Sequence, residues 1–292
     1  MIEPGDLAAL DAEVGQALTH GDDSGLNVIG YGEISTVLGW PLDDPRWACK
    51  RLPLFPTDAA VDDYAATLDR YLAEVRSRGV DVVDTEVQRV RQRDGRVAVY
   101  CVQPALAPGT LAVDAVRRGG EGAEWVLAAI VEAVFGVVDE RVGLDAQLSN
   151  WGLADGRLCY FDVTTPLLRR PDGTEALDTG LFLASLPWLL RPPVRRFLLR
   201  DIIERYHRPR TVALDLAANL VKERLDSHIG AVVSAAADRV DPPLTEDEVR
   251  ADYRSDARTW ALLLSLRRAD RVWQQRVRRR PYPFLLPGPI ER

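Results

Sequence analysis

The stretch Asn27-Val-Ile-Gly-Tyr-Gly-Glu-Ile-Ser-Thr-Val37, followed by Trp47-Ala-Cys-Lys50, decides the fold. Apolar residues flank a glycine pair, so residues 26–40 read as a strand, a tight turn and a second strand. Residues 46–54 read as a third strand, stopped by Pro53 and Pro56. Small residues at Gly30, Gly32 and Ser35 let such a hairpin approach a polyphosphate, with backbone N–H groups donating to its oxygens. The run lacks the lysine and following helix of a P-loop. Two strands flank it where a dinucleotide fingerprint needs a strand and then a helix. Lys50 is one of only two lysines, with Lys222. On the third strand it is placed to aim an ammonium at phosphates, or simply to reach water with its head.

Outward from this hairpin, residues 57–78 carry Val61, Tyr64, Leu68, Leu72 and Val75 at the three-to-four spacing of a helix with one buried face. Residues 86–91 and 97–102 flank Asp94-Gly95, the signature of a hairpin turn. The result is a unit of five strands and one helix, behind a polar N-terminal arm and ending near Pro104. From Glu121 the pattern turns helical, with one interruption. Asp145-Ala-Gln-Leu-Ser-Asn150 precedes Ala154-Asp-Gly-Arg and Leu158-Cys-Tyr-Phe-Asp162, a short strand, an Asp-Gly turn and a second strand. Helices are expected over residues 179–190, 194–206, 211–235 and 245–276.

That interruption carries chemistry. Asp145, five residues before Asn150, is suited to take a proton from an attacking hydroxyl while the asparagine holds a metal; Asp162 is suited to bridge Mg²⁺ to phosphate oxygens. Each residue alone also suits a turn or a helix cap.

Composition excludes several classes. The 47% hydrophobic and 28% charged fractions are those of a globular chain, and the net charge of −7 does not favour nucleic acid as a partner. Cys49, Cys101 and Cys159 are far apart and imply no disulfide framework. His20, His207 and His228 give no zinc spacing. The apolar runs 125–138 and 181–190 are too short to span a bilayer, and the N-terminus lacks a secretory pattern, so a cytoplasmic location is expected. Arg267, Arg268, Arg271, Arg276, Arg278, Arg279 and Arg280 suit a wet helix end or phosphate contacts.

The ordered set Gly30, Gly32, Lys50, Asp145, Asn150 and Asp162 resembles the protein-kinase-like superfamily, in its atypical and aminoglycoside-phosphotransferase-like branches. The resemblance implies an α+β, two-lobed fold: residues 1–104 as a nucleotide-binding lobe of five antiparallel strands and one helix, residues 105–292 as a helical catalytic and substrate lobe. It implies ATP and Mg²⁺ as cofactors, with Gly30, Tyr31, Gly32, Ser35 and Val37 forming the glycine loop and Lys50 binding phosphate. By the same likeness Val102 and Gln103 lie in the hinge, Asp145 is the catalytic aspartate, and Asn150 and Asp162 are metal ligands. The helix carboxylate that pairs with Lys50 would be Glu74, favoured for its longer reach, or Asp69. The pattern departs from the family at Ser35, at Val142-Gly-Leu-Asp145, which lacks the usual histidine, and at Val163-Thr164 after Asp162. The expected activity is phosphoryl transfer to the hydroxyl of a small molecule. The alternatives are a kinase-like nucleotide-binding or scaffold protein without catalysis, and transfer of AMP.

Overall fold

The computed structural model describes residues 2–31, 35–180, 183, 186–187, 190–279, 282 and 284–285. The architecture is α+β, a five-stranded antiparallel sheet followed by a helical C-terminal part. The sheet uses β1 (Val28–Tyr31), β2 (Thr36–Trp40), β3 (Trp47–Arg51), β5 (Glu86–Arg91) and β6 (Val97–Pro104), in the order β1-β2-β3-β6-β5. Between β3 and β5 the chain forms α2 (Asp58–Ser77) and the two-residue β4 (Asp81–Val82). Thr57 caps α2 by accepting from the Ala60 N–H at 3.2 Å. Gly95, at φ 86°, closes the turn between β5 and β6.

Side-chain alternation sorts this sheet into two faces. On β6, Val97, Val99 and Cys101 join the main core with Val61, Tyr64, Leu68 and Leu72 of α2. The intervening Ala98, Tyr100 and Val102 pack with Leu38 and Cys49 against Leu7, Leu10 and Val14 of α1 (Pro4–His20). The expected polar arm is therefore a helix. Pro4 occupies its first turn and Gly21, at φ 72°, ends it, donating to the Ala17 carbonyl at 2.8 Å. Asp11 is 8% exposed and ties α1 to the sheet, accepting from the Tyr100 hydroxyl at 2.7 Å and from Gln92 Nε2 at 2.7 Å.

Beyond Pro104 come α3 (Ala112–Arg118) and α4 (Glu121–Val137), then β7 (Trp151–Ala154) and β8 (Arg157–Tyr160). β4 pairs in parallel with β8, so a three-stranded sheet joins the segment after α2 to the mid-chain hairpin. Asp155 and Gly156, both at positive φ, make the β7–β8 turn. The later helices are α5 (Arg191–Phe197), α6 (Leu199–Arg205), α7 (Pro209–Lys222), α8 (Ile229–Ala236) and α9 (Glu246–Val272). α7 is the central helix, with Val212, Ala213, Leu216, Ala217 and Leu220 all buried. Of the expected helix over 179–190, residues 181–182, 184–185 and 188–189 lie outside the described residues.

Asp11→Ala leaves the buried Tyr100 hydroxyl without its acceptor. A loss of roughly 1–3 kcal/mol is expected, read as a lower urea midpoint with an unchanged slope. An unchanged midpoint would show that α1 is not held this way.

Candidate functional site

The sheet register places the first group of candidate residues. Gly30 pairs with Val37, Val37 with Lys50, and Lys50 with Cys101, one row across four strands, whose side-chain positions share a face. Cys101 belongs to the core under α2, so this row faces α2 and the mid-chain hairpin. Two residues along, Ala48 pairs with Gln103 on that face. Gln103 donates to the Phe161 carbonyl and to Thr85 Oγ1, both at 2.8 Å. The side chain of Val102 lies on the opposite face, under α1. Ser35 is buried. Gly32 and the side chain of Tyr31 lie outside the described residues.

The second group converges from the mid-chain segment. Asn150 Nδ2 donates to the Asp145 carbonyl at 3.1 Å, and the Phe161 N–H donates to the Asn150 carbonyl at 3.1 Å, which fixes Asp162 beside Asn150. Lys50 Nζ meets Asp162 Oδ1 at 2.5 Å, spanning 112 residues of sequence. The two side chains are 15% and 29% exposed. Thr164 Oγ1 donates to the same carboxylate oxygen at 3.3 Å. The structure thus brings Lys50 and Asp162 into contact beside Asn150, with Gly30 and Val37 on the Lys50 row and Asp145 joined through Asn150.

The helix partner of Lys50 is a correction. Glu74 accepts from Arg141 at 3.0 Å and lies 3.8 Å from Arg78, and Asp69 is exposed. The α2 residue over Lys50's row is Tyr64, nearly three turns earlier, about 15 Å along the axis at 1.5 Å per residue. Its hydroxyl donates to the Thr164 carbonyl at 2.9 Å and lies 3.4 Å from Cys101 Sγ. Burial holds the Tyr64 phenol well above its ordinary range and pushes the Cys101 thiol up to about 11, so both are neutral fixtures behind the ion pair. The carboxylate facing Lys50 is Asp162 itself.

The missing histidine before Asp145 also has a structural counterpart. A Cβ on Gly143 would come within 2.9 Å of the Tyr206 carbonyl and 3.2 Å of the His207 ring. His207, 3% exposed, occupies that space from the end of the α6 segment. Burial and the nearby Arg169 lower its pKa, leaving a neutral packing imidazole. The Tyr71 hydroxyl donates to the Gly143 carbonyl at 3.1 Å.

One network escaped the sequence reading. Gln147, inside the Asp145–Asn150 loop, donates to Asp215 Oδ2 at 3.1 Å, and Asn219 Nδ2 donates to Gln147 Oε1 at 3.3 Å. Both partners lie on α7. A carboxylate and an amide within the apolar run Val212-Ala-Leu-Asp-Leu-Ala-Ala-Asn219 were the available signal. Burial pushes Asp215 up to about 6, against the lowering effects of Gln147 and Arg205.

A family profile described as "Family of unknown function (DUF6206)" matches residues 9–271. The chain belongs to this family. The matched span holds every candidate residue from Gly30 to Asp215. No curated protein matches the sequence. A cavity of about 940 Å³ borders Tyr64 between α2 and residues 169–179; Lys50, Asp145, Asn150 and Asp162 do not line it.

Because Asp215 has a raised folded-state pKa, its contribution to stability is full below the unfolded value near 3.8 and is lost as pH rises through about 6. Asp215→Asn keeps an acceptor for Gln147 and cannot ionise. Relative to the parent, its urea midpoint should rise across that window and level off above it. A difference independent of pH would contradict the assignment.

Proposed function

We propose that the junction of Lys50, Asp145, Asn150 and Asp162 binds ATP with Mg²⁺ and transfers a phosphoryl group to the hydroxyl of a small molecule. The observation that carries the reading is the Lys50–Asp162 contact, with Asn150 held to Asp145 beside it. Supporting it, the sheet order β1-β2-β3-β6-β5 with α2 between β3 and β5 is compatible with a nucleotide-binding lobe of the protein-kinase-like superfamily.

The donor set fits a hard cation. Among the described residues, no three His, Cys, Asp or Glu side chains gather to enclose a metal. A carboxylate and an amide oxygen are the partial set typical of Mg²⁺, which keeps water and phosphate as its other ligands. Asn150 spends its N–H₂ on Asp145, so its carbonyl oxygen is the end left for a ligand. Bound there, Mg²⁺ would neutralise charge on the phosphates.

The chain's own groups have separable roles. Lys50 leaves Asp162 for the phosphates, as an ammonium suited to them. Gly30, without a side chain on the Lys50 row, leaves the triphosphate room to approach the hairpin. The Asp145 carboxylate takes the acceptor's hydroxyl proton as the new O–P bond forms and the bond to the ADP oxygen breaks. The Gln147–Asp215–Asn219 bonds hold the loop that presents Asp145.

A second reading, nucleotide binding without transfer, is favoured by one observation. Among the described residues no helix carboxylate pairs with Lys50, so the lysine is pinned by the residue that would also ligate the metal. Transfer of AMP in place of phosphate uses the same groups and is separated by the mass added to the product.

Thermal unfolding with ATP, with and without Mg²⁺, tests the reading. Ligand about a hundredfold above its Kd stabilises by about 2.7 kcal/mol, a rise of several degrees. Lys50→Met should abolish the rise, and Asp162→Asn should remove its dependence on Mg²⁺. Asp145→Asn should keep the rise and lower turnover roughly 10²- to 10⁴-fold. No stabilisation by any nucleotide would overturn the proposal; stabilisation without turnover would favour the second reading.

A further inference from the structure

The cavity of about 940 Å³ between α2 and residues 169–179 has a third wall, made by α5 and α6. Arg195, Leu199, Arg200, Ile203 and Glu204 line it from that side. Phe55, Tyr64, Thr67 and Arg70 line it from α2 and the segment leading into α2. Its volume is that of a small-molecule site.

Five arginines reach this cavity: Arg70, Arg169, Arg170, Arg195 and Arg200. Arg169 is committed to the fold. Its guanidinium donates to Glu175 and to Glu204, each at 2.8 Å, and so ties residues 169–175 to α6. Those two acids are thereby occupied, and Glu204 accepts from Arg208 as well, at 3.2 Å. The other four arginines have no carboxylate partner among the described residues. Arg70 turns back on its own helix, donating to the Ala66 carbonyl and the Thr67 hydroxyl, each at 3.1 Å. Arg170 donates to the carbonyls of Glu175 and Ala176 and to the Thr174 hydroxyl, all neutral groups.

The four come from facing walls. Arg70 and Arg170 also line the smaller hollow beside Glu74, so they share one rim, and Glu74 itself is taken by Arg141 and Arg78. Across from them, Arg200 stands one turn before Glu204 on α6 and shares its face, toward the Arg169 pair. The remaining carboxylates on the walls are Asp63 and Asp178, both exposed. Asp63 lies about 10 Å from Arg70 along α2, at 1.5 Å per residue, and Asp178 accepts from the Gly180 N–H at 2.8 Å. Unpaired positive charge therefore exceeds unpaired negative charge inside a partly enclosed space of a net acidic chain. Such a concavity concentrates anions.

We infer that this cavity binds a small organic phosphate, with the phosphate between Arg70 and Arg170 on one wall and Arg195 and Arg200 on the other, and the apolar body over Leu177, Leu199 and Ile203. The guanidinium fork matches phosphate oxygens, and a phosphate monoester carries enough charge and enough oxygens to be met from two walls at once. The three apolar side chains reach the cavity but are otherwise buried. Lys50, Asp145, Asn150 and Asp162 do not line this space. Tyr64 borders it and bonds onward to the Thr164 carbonyl, two residues past Asp162. The site is separate from the Lys50–Asp162 junction, and the inference holds whether or not that junction transfers phosphate.

Calorimetric titration of the full chain with phenyl phosphate, a phosphate on an apolar ring, is the test. Saturable one-site binding is expected, with inorganic phosphate at least about threefold weaker for want of the ring. Benzyltrimethylammonium, of like size and opposite charge, should not bind. Arg70→Gln and Arg200→Gln should each raise Kd at least about fivefold. Both side chains are exposed, so the urea midpoint of the free protein should stay unchanged. Asp63→Asn should not weaken binding, and Arg93→Gln, at an exposed arginine on the turn between β5 and β6, should leave it as it was. No saturation up to about 10 mM phenyl phosphate would overturn the inference. Binding of the ammonium probe, inorganic phosphate as tight as phenyl phosphate, or full binding by the double variant Arg70→Gln with Arg200→Gln would also overturn it. Loss of binding with Lys50→Met but not with the arginine variants would place the probe at the nucleotide junction instead, against the inference.

Discussion

Lys50 reaches Asp162 because two long-range alignments hold at once. The register of β2, β3 and β6 turns Lys50 toward the face that α2 covers, and the bonds around Asn150 and Phe161 bring Asp162 up to that face. Each charge is sheltered from water, so removing either would leave the other poorly solvated. Their contact is stronger than an exposed pair because the acceptor and donor are both ionised and water has limited access. Tyr64 closes the back of the pair by donating to the Thr164 carbonyl, two residues after Asp162, which ties α2 into the same junction. The ion pair is therefore a property of how the sheet and the mid-chain hairpin meet.

The support around this junction is layered. Gln103 bonds the end of β6 to Phe161, and β4 joins β8, so the two sheets meet on either side of the ion pair. Deeper in, α7 holds the loop of Asp145 through Gln147, while His207 fills the space that Gly143 leaves. Asp252 and Asp256, on α9, both raise the pKa of Asp215.

Much of the fold was legible because local patterns agreed with the tertiary outcome. The glycine hairpin, the Asp94-Gly95 and Asp155-Gly156 turns and the periodicity of α2 each have a local physical cause. α1 was missed although Leu7, Leu10 and Val14 recur at helical spacing, because Pro4-Gly5 at its start and the scattered acids Asp6, Asp11 and Glu13 read as a polar arm. β4 is two residues long and pairs in parallel with a strand far along the chain, so no local pattern announces it. Of the candidate residues, Lys50 and Asp162 could be named from motif order, but their contact could not. Glu74 was chosen for reach along a helix whose axial position over Lys50 is fixed only by packing. Tyr64, which takes that position, was hidden as one more apolar member of a periodic stripe. Gln147 and Asp215 were hidden because an amide in a loop and a lone acid on a helix meet only in three dimensions.

The most direct test of this convergence is a double-mutant cycle on Lys50→Met and Asp162→Asn, read as urea unfolding free energies without nucleotide. Contacting charges predict that the double variant departs from the sum of the singles by about 0.5 kcal/mol or more, with the pair stabilising. Effects that add within about 0.3 kcal/mol would mean that Lys50 and Asp162 do not meet in solution, and the common cleft would be lost with them.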